Sequence, residues 1–175
     1  MKAKFLFLFV FSYLLSFEQQ ENILLTNTSE PKDLDGNFTS IPFFGEKLLV
    51  IFYTDPDVGD VNDYLSNLLM KKTIPESKFA GIGIVNCDES WIPNSAIRIG
   101  AVQKLKKYPG SIIILDEDNI IQNKWNLKDC NNMGVVIIVG KDKKIKLIKY
   151  IKTENESISN SSSIIKVIDA EIEKM

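Results

Sequence analysis

Residues 47–86 read KLLVIFYTDPDVGDVNDYLSNLLMKKTIPESKFAGIGIVN, and this stretch decides the fold. Lys47 to Tyr53 is a continuous apolar run of strand length, as a strand buried on both faces requires. Thr54-Asp55-Pro56-Asp57-Val58-Gly59-Asp60 interrupts it. Val61, Tyr64, Leu65, Leu68 and Leu69 then recur at helical spacing up to Lys71 and Lys72. Acids before the helix and lysines at its end suit the helix dipole. Phe79 to Asn86 reads as a second buried strand. Strand, helix and strand together predict a βαβ unit, whose strands run parallel.

Downstream, Pro93-Asn94-Ser95 offers a helix start, with Ile97, Ala101, Val102 and Leu105 on one face. Lys104, Lys106 and Lys107 close that helix before Pro109. Ser111 to Leu115 and Ile120 to Trp125 flank the polar turn Asp116-Glu117-Asp118-Asn119, and Val135 to Val139 and Ile145 to Ile151 flank Lys141-Asp142-Lys143-Lys144. Both read as strand-turn-strand units. Thr153 to Ser163 is polar and Ser-rich and reads as a loop. Ser163 then caps a last helix with Ile164, Ile165, Ile168 and Ile172 inward. Upstream, residues 22–46 are a lead-in whose Asp33-Leu34-Asp35-Gly36-Asn37 has turn chemistry. The element order predicts an α/β protein of thioredoxin-like fold, a mixed central sheet with helices on both faces.

Composition narrows the chemistry. The chain has 175 residues, 45% apolar and 25% charged, which is ordinary globular usage and enough for one domain with a real core. No His is present, so Ser-His-Asp triads, Cys-His nucleophiles and His metal ligands are excluded. The two cysteines, Cys87 and Cys130, are too few for a Cys-type zinc site and form no CxxC. A net charge of −2 argues against nucleic acid as a main partner.

The N-terminus reads as an address. Met1-Lys2-Ala3-Lys4 is basic, and Phe5 to Leu15 is an uncharged apolar run, too short for a comfortable membrane span. Residues 1–17 are therefore expected to be a signal peptide, with an uncleaved anchor or a buried helix as the alternatives, and 18–175 a single domain. Ser16 is the best −1 residue for cleavage, although small residues are not available at both −3 and −1. Removing the leader takes away Lys2 and Lys4 and leaves a charge of −4 and no stable membrane span. Export would place the cysteines where a disulfide can form. The four N-x-S/T triplets, at Asn27, Asn37, Asn155 and Asn160, are expected by chance in so Asn- and Ser-rich a chain.

A family resemblance rests on a string of motifs. Ile84-Val85-Asn86-x-Asp88 is followed by Ile92-Pro93-Asn94-Ser95. Lys107-Tyr108-Pro109 leads into a strand ending at Asp116, and then come Trp125-x-Leu127 and Val136-Ile137-Ile138-Val139-x-Lys141-Asp142. In order and spacing this resembles the YtfJ family of exported bacterial proteins, over about residues 79–150. The resemblance implies a periplasmic protein of thioredoxin-like fold. The Asp33–Asn37 turn also resembles the one that opens many exported thioredoxin-like reductases. In those relatives a strand like Leu48 to Tyr53 runs into the redox CxxC at a helix N-terminus. By that pattern Asp57 and Asp60 stand where the two cysteines would be, and Asn131-Asn132-Met133-Gly134 replaces the proline before the next-to-last strand. A helix N-terminus stabilises a thiolate in the redox motif. Carboxylates there are already anions and cannot exchange disulfides.

Three groups of residues are candidates. Asp55, Asp57, Asp60 and Asp63 are read first as helix-capping acids and as a candidate binding face. A Ca²⁺ or Mg²⁺ site is the sharper and less favoured alternative, since no EF-hand loop is present, and no metal or cofactor is assigned. Cys87 and Cys130 could meet in a disulfide if their Cα atoms come within about 7 Å. Trp91 and Trp125 are expected to seal the core, Trp125 more firmly. The lysine groups 104, 106, 107 and 141, 143, 144 read as solvated faces. The function expected is that of an exported, redox-inactive thioredoxin-fold protein that binds a protein partner without catalysis. The alternative is an atypical thiol-disulfide oxidoreductase using Cys87 and Cys130.

Overall fold

A computed structural model describes residues 23–88 and 90–175. The expected signal peptide, 1–17, lies outside the described residues. Among the described residues five strands, β1 (Leu48–Thr54), β2 (Phe79–Asn86), β3 (Ile112–Asp116), β4 (Gly134–Val139) and β5 (Ile145–Ile151), form one sheet in the order β3-β2-β1-β4-β5. Four helices accompany them: α1 (Asp63–Met70), α2 (Asn94–Lys107), α3 (Ile120–Lys124) and α4 (Glu154–Glu173). β1, β2 and β3 are parallel, while β4 runs antiparallel to β1 and β5 to β4, so the sheet is mixed as predicted.

β1 is central, and its apolar run is divided between two faces by the pleat. Leu49, Ile51 and Tyr53 join Ile82, Ile84, Val135, Ile137 and Val139 in a core closed by Ile121 and Trp125. Leu48 and Val50 join Val136 and Ile138 on the other face, under Leu65 of α1 and Ile164 and Ile168 of α4. α2 lies on that second face too, where Ile97 packs with Cys87 and Leu115.

The lead-in straps the first face. At the β5 edge Leu25 N–H donates to Lys143 O (2.8 Å) and Ile145 N–H to Ile23 O (3.0 Å). At the opposite edge Lys32 and Leu115 exchange backbone bonds of 2.9 and 2.7 Å. Just after Lys32 the turn forms as read: Asp33 Oδ1 accepts from the N–H groups of Asp35 and Asn37, and Gly36 takes φ +90°. Arg98 of α2 donates to the carbonyls of Asp33 and Leu34, so the turn is locked to the helix.

Four expectations are corrected. Ile120–Trp125 is a helix followed by a turn, not a strand. The buried Asp116 carboxylate accepts from the N–H groups of Ile120 (2.7 Å), Ile121 (2.9 Å) and Gln122 (3.3 Å), and so supplies the cap that starts α3. Thr153–Ser163 is not a loop, because α4 begins at Glu154. Thr153 Oγ1 accepts from Glu156 N–H, and Glu156 reaches back to Lys152 N–H at 2.7 Å. Inside the helix Ser159, Ser161 and Ser163 turn their hydroxyls onto the carbonyls of Glu156, Ile158 and Asn160, which removes their competition with the backbone. Trp91 does not seal the core; it is 85% exposed, whereas Trp125 is buried with its indole N–H on Thr26 O. β2 is buried fully on one face only: Ile82 and Ile84 are enclosed, but Phe79, Gly81, Gly83 and Val85 are half-open.

Candidate functional site

The end of β1 delivers the acidic cluster. Asp55 is wholly buried and joins two loops: its Oδ1 accepts from Asp57 N–H (2.8 Å), its Oδ2 from Asn132 N–H (2.7 Å), and its own N–H donates to Met133 O (3.0 Å). It thus caps the 3-10 turn Pro56–Val58 and fastens it to the segment entering β4. Asp57 is exposed within that turn, ahead of α1 and outside its first turn, and accepts from Ser90 Oγ at 3.1 Å. Asp60, with its side chain 88% exposed, meets Lys104 at 2.8 Å. Asp63, on the first turn of α1, is gripped by Lys104 and Lys107 from the end of α2. Burial works against its ionisation, but the hydrogen bonds from these two lysines outweigh it and hold the carboxyl below the usual range.

The four acids therefore do different work. Asp55 is a structural anchor, Asp57 faces solvent, and only Asp60 and Asp63 converge, on Lys104. Among the described residues no group of three or more His, Cys, Asp or Glu side chains could hold a metal ion. Of the lysines at the end of α2, read as a solvated face, Lys104 and Lys107 are instead partners of this loop.

Gly134 shows how tightly the two loops meet. A Cβ there would strike the Asn62 amide and lie 2.6 Å from Val61 Cγ1. The residue that replaces the proline position thus sits directly against the start of α1. Asn62, the residue before α1, is buried, and neither of its amide atoms has a hydrogen-bond partner.

The cysteines are both buried and do not stand at disulfide distance. Cys87 packs with Ile97 and Leu115, and Cys130 packs in the other core with Tyr53. Their thiols point to local carbonyls, Cys87 to Val85 O (3.5 Å) and Cys130 to Lys128 O (3.0 Å). Burial, then the charges of Glu117 and Asp116, pushes the Cys87 thiol up to about 12. The charge of the adjacent Asp88 also raises it, by less than Glu117 and Asp116. A protonated, enclosed thiol is a poor nucleophile.

Near both cysteines lies a polar network that the sequence did not disclose. Tyr53 O–H donates to Asp116 Oδ2 at 2.9 Å, and Asn86 Nδ2 to Gln122 Oε1 at 3.2 Å. Burial raises the Asp116 carboxyl even though Tyr53 and three backbone N–H groups bond to it. The Tyr53 hydroxyl is raised by burial and by Asp116 beside it. An apolar run such as KLLVIFY gives no hint that its last aromatic is the partner of an acid on another strand.

The mixed sheet, the βαβ start and the ββα end define a thioredoxin-like protein, and solved structures agree. A protein described as thiol:disulfide interchange protein DsbE, from Chlorobium tepidum, has TM-score 0.63 at 10% identity, covering 87% of this chain and 97% of that one. A peroxiredoxin-like protein from Aquifex aeolicus has TM-score 0.57 at 9% identity, covering 84% and 86%. The thioredoxin domain of a thiol-disulfide oxidoreductase from Bacteroides vulgatus has TM-score 0.54 at 14% identity, covering 82% and 96%. At such identities the likeness is one of fold. No curated protein matches the sequence. The chain belongs to the family described as bacterial protein of unknown function (YtfJ_HI0045), which matches residues 52–170. Among the described residues no helix is long and apolar enough to cross a membrane.

Proposed function

We propose that residues 1–17 direct export and that 18–175 form a single domain that binds a protein partner in the periplasm without thiol chemistry. The observation that carries this reading is the state of the sulfur atoms. The loop after β1, where redox relatives of this fold present thiols, carries Asp57 and Asp60 on the surface. The two cysteines are enclosed in separate cores. The exposed acids, with Ser90 hydrogen-bonded to Asp57 and the exposed Trp91 next to Ser90 in the chain, offer a polar rim and an aromatic contact of the kind that partner surfaces use. The alternative, an oxidoreductase built on Cys87 and Cys130, finds no support in their separation.

The test is a thiol titration of protein purified from the periplasm, alongside insulin reduction. The native protein should leave both thiols unmodified, the unfolded protein should titrate two without added reductant, and insulin should not turn over. A titre of zero after unfolding, restored by reductant, or measurable insulin turnover would end this reading. Fractionation of cells making the chain with and without residues 1–17 checks the export step: only the full chain should reach the periplasm.

A further inference from the structure

The two ends of the sheet differ in charge. β1 starts beside Lys47 and runs about 20 Å, at about 3.3 Å per residue, to Asp55, with Asp57 and Asp60 just beyond. At the starting end the turn between β4 and β5 carries Lys141, Lys143 and Lys144. The register sets that turn beside Lys47, because Leu49 pairs with Val139. A Cβ at Gly45 would lie 2.6 Å from Lys143 Cε, so the Lys143 side chain runs along the 43–47 turn. Among the described residues none of these four lysines forms an ion pair. Asp142, inside the β4–β5 turn, is engaged by Lys146 at 2.7 Å, and Glu46 is the one other acid of the two turns. The whole chain has a charge of −2, so the basic end is a local concentration and not a reflection of composition.

Apolar side chains stand among these lysines. Leu24 bridges Lys144 through the backbone and is 64% exposed, and Ile23 beside it is 40% exposed. An exposed leucine by itself says little. Here it sits among unpaired ammonium groups, where the described chain joins the apolar N-terminal run. Five residues separate Phe17 from Ile23, so at no more than about 3.5 Å per residue Ile23 lies within about 20 Å of that run. With residues 1–17 in a membrane, as the export reading has them and on which this placement rests, the basic end of the sheet is the end held against the bilayer. Exposed aliphatic side chains ringed by lysines suit a surface that rests on lipid, the former entering the headgroup layer and the latter meeting anionic headgroups. A nucleic acid or an acidic protein would use the lysines and leave the aliphatic pair and the tether without a role.

We propose that this basic end docks on an anionic lipid surface, Ile23 and Leu24 entering the headgroup layer and Lys47, Lys141, Lys143 and Lys144 meeting lipid phosphates. The exposed acids at the far end of β1 then face away from the membrane, open to a partner.

Vesicle flotation tests it on the soluble chain recovered from cells, in whichever compartment that is, so that failure of export and failure of docking are read separately. At low salt the chain should bind vesicles of phosphatidylglycerol and phosphatidylcholine in equal parts at least about tenfold more tightly than vesicles of phosphatidylcholine alone, and added salt should weaken the binding. Lys141→Gln combined with Lys144→Gln should weaken binding to the anionic vesicles about 25-fold, at about fivefold per lysine. Lys152→Gln removes the same charge at the other end of β5 and should change it by less than about twofold. Leu24→Asn, at an exposed position, should weaken it about fivefold while the thermal midpoint stays at the wild-type value. No binding, equal binding to the two kinds of vesicle, an unaffected double-lysine variant, a Lys152→Gln loss as large as one of the turn lysines gives, or a Leu24→Asn protein that binds like wild type would each overturn the proposal.

Discussion

Replacing Asp55 by Asn alters a wholly buried side chain without changing its volume, and its cost can be worked out from two hydrogen bonds. In the native protein each carboxylate oxygen accepts one backbone N–H, from Asp57 at 2.8 Å and from Asn132 at 2.7 Å. An amide has only one oxygen. Whichever way it turns, its NH₂ faces one of these two donors. A hydrogen bond to a charged group contributes about 1.5–3 kcal/mol, and an unsatisfied buried donor costs about 1–3 kcal/mol. Asp57 and Asn132 are themselves exposed residues, so water recovers part of the loss, and about 2 kcal/mol remains. For a domain of this size that lowers the thermal midpoint by about 4–8 °C. Asp55→Ala, which deprives both donors, should cost more. Circular dichroism melts and urea titrations measure the loss. Amide hydrogen exchange locates it, because the N–H groups of Asp57 and Asn132 should exchange faster while those of β5 do not. An Asp55→Asn protein within about 0.5 kcal/mol of wild type, with unchanged exchange at Asn132, would refute the view that this carboxylate fastens the two loops.

Gly134→Ala should destabilise by about 1–3 kcal/mol in urea denaturation, since its methyl overlaps Asn62 and Val61 and must push α1 off the sheet. Thr153→Ala removes the cap of α4 and should cost about 0.5–2 kcal/mol by the same assay, with Thr153→Ser close to wild type. Asp63 is held below the ordinary carboxylate range, so its ionised form stabilises the fold above about pH 4, and that contribution is lost as pH falls through the lowered value. Urea midpoints of wild type and Asp63→Asn should therefore differ at pH 7 and converge toward pH 2; a constant gap across that range would show that Lys104 and Lys107 do not act through its charge.

The fold was legible because its central strands announce themselves. Leu48–Thr54 and Phe79–Asn86 lie where the apolar runs place them, and the hairpin β4–β5 follows its two apolar stretches. The errors came where a single side chain decided the outcome. Ile120–Trp125 has the composition of a strand and became a helix because Asp116 offers its carboxylate to three N–H groups. The serines of α4 suggest a loop until their hydroxyls are seen bonded to the helix's own carbonyls. The capping signal Thr153-x-x-Glu156 was present in the sequence and outranked the Ser content. The site was legible only in outline. The aspartates could be placed after β1, but not divided into one buried anchor, one solvated carboxylate and two partners of a helix end. That division depends on contacts from Asn132 and Lys104, remote in the chain. The half-open face of β2 could not be foreseen either, since FAGIGIVN looks like any buried strand until Gly81 and Gly83 are seen partly uncovered.

The strap formed by the lead-in also orders events in time. Residues near its start rest on Lys143 and Ile145, and Lys32 rests on Leu115, so the earliest described segment waits for some of the last. The entropy of closing such long loops is met only once the β4–β5 hairpin exists. On a ribosome, the rims of the growing sheet would stay unsealed until most of the chain had emerged. Any machinery that takes hold of the N-terminus during synthesis therefore meets a polypeptide that has not yet locked.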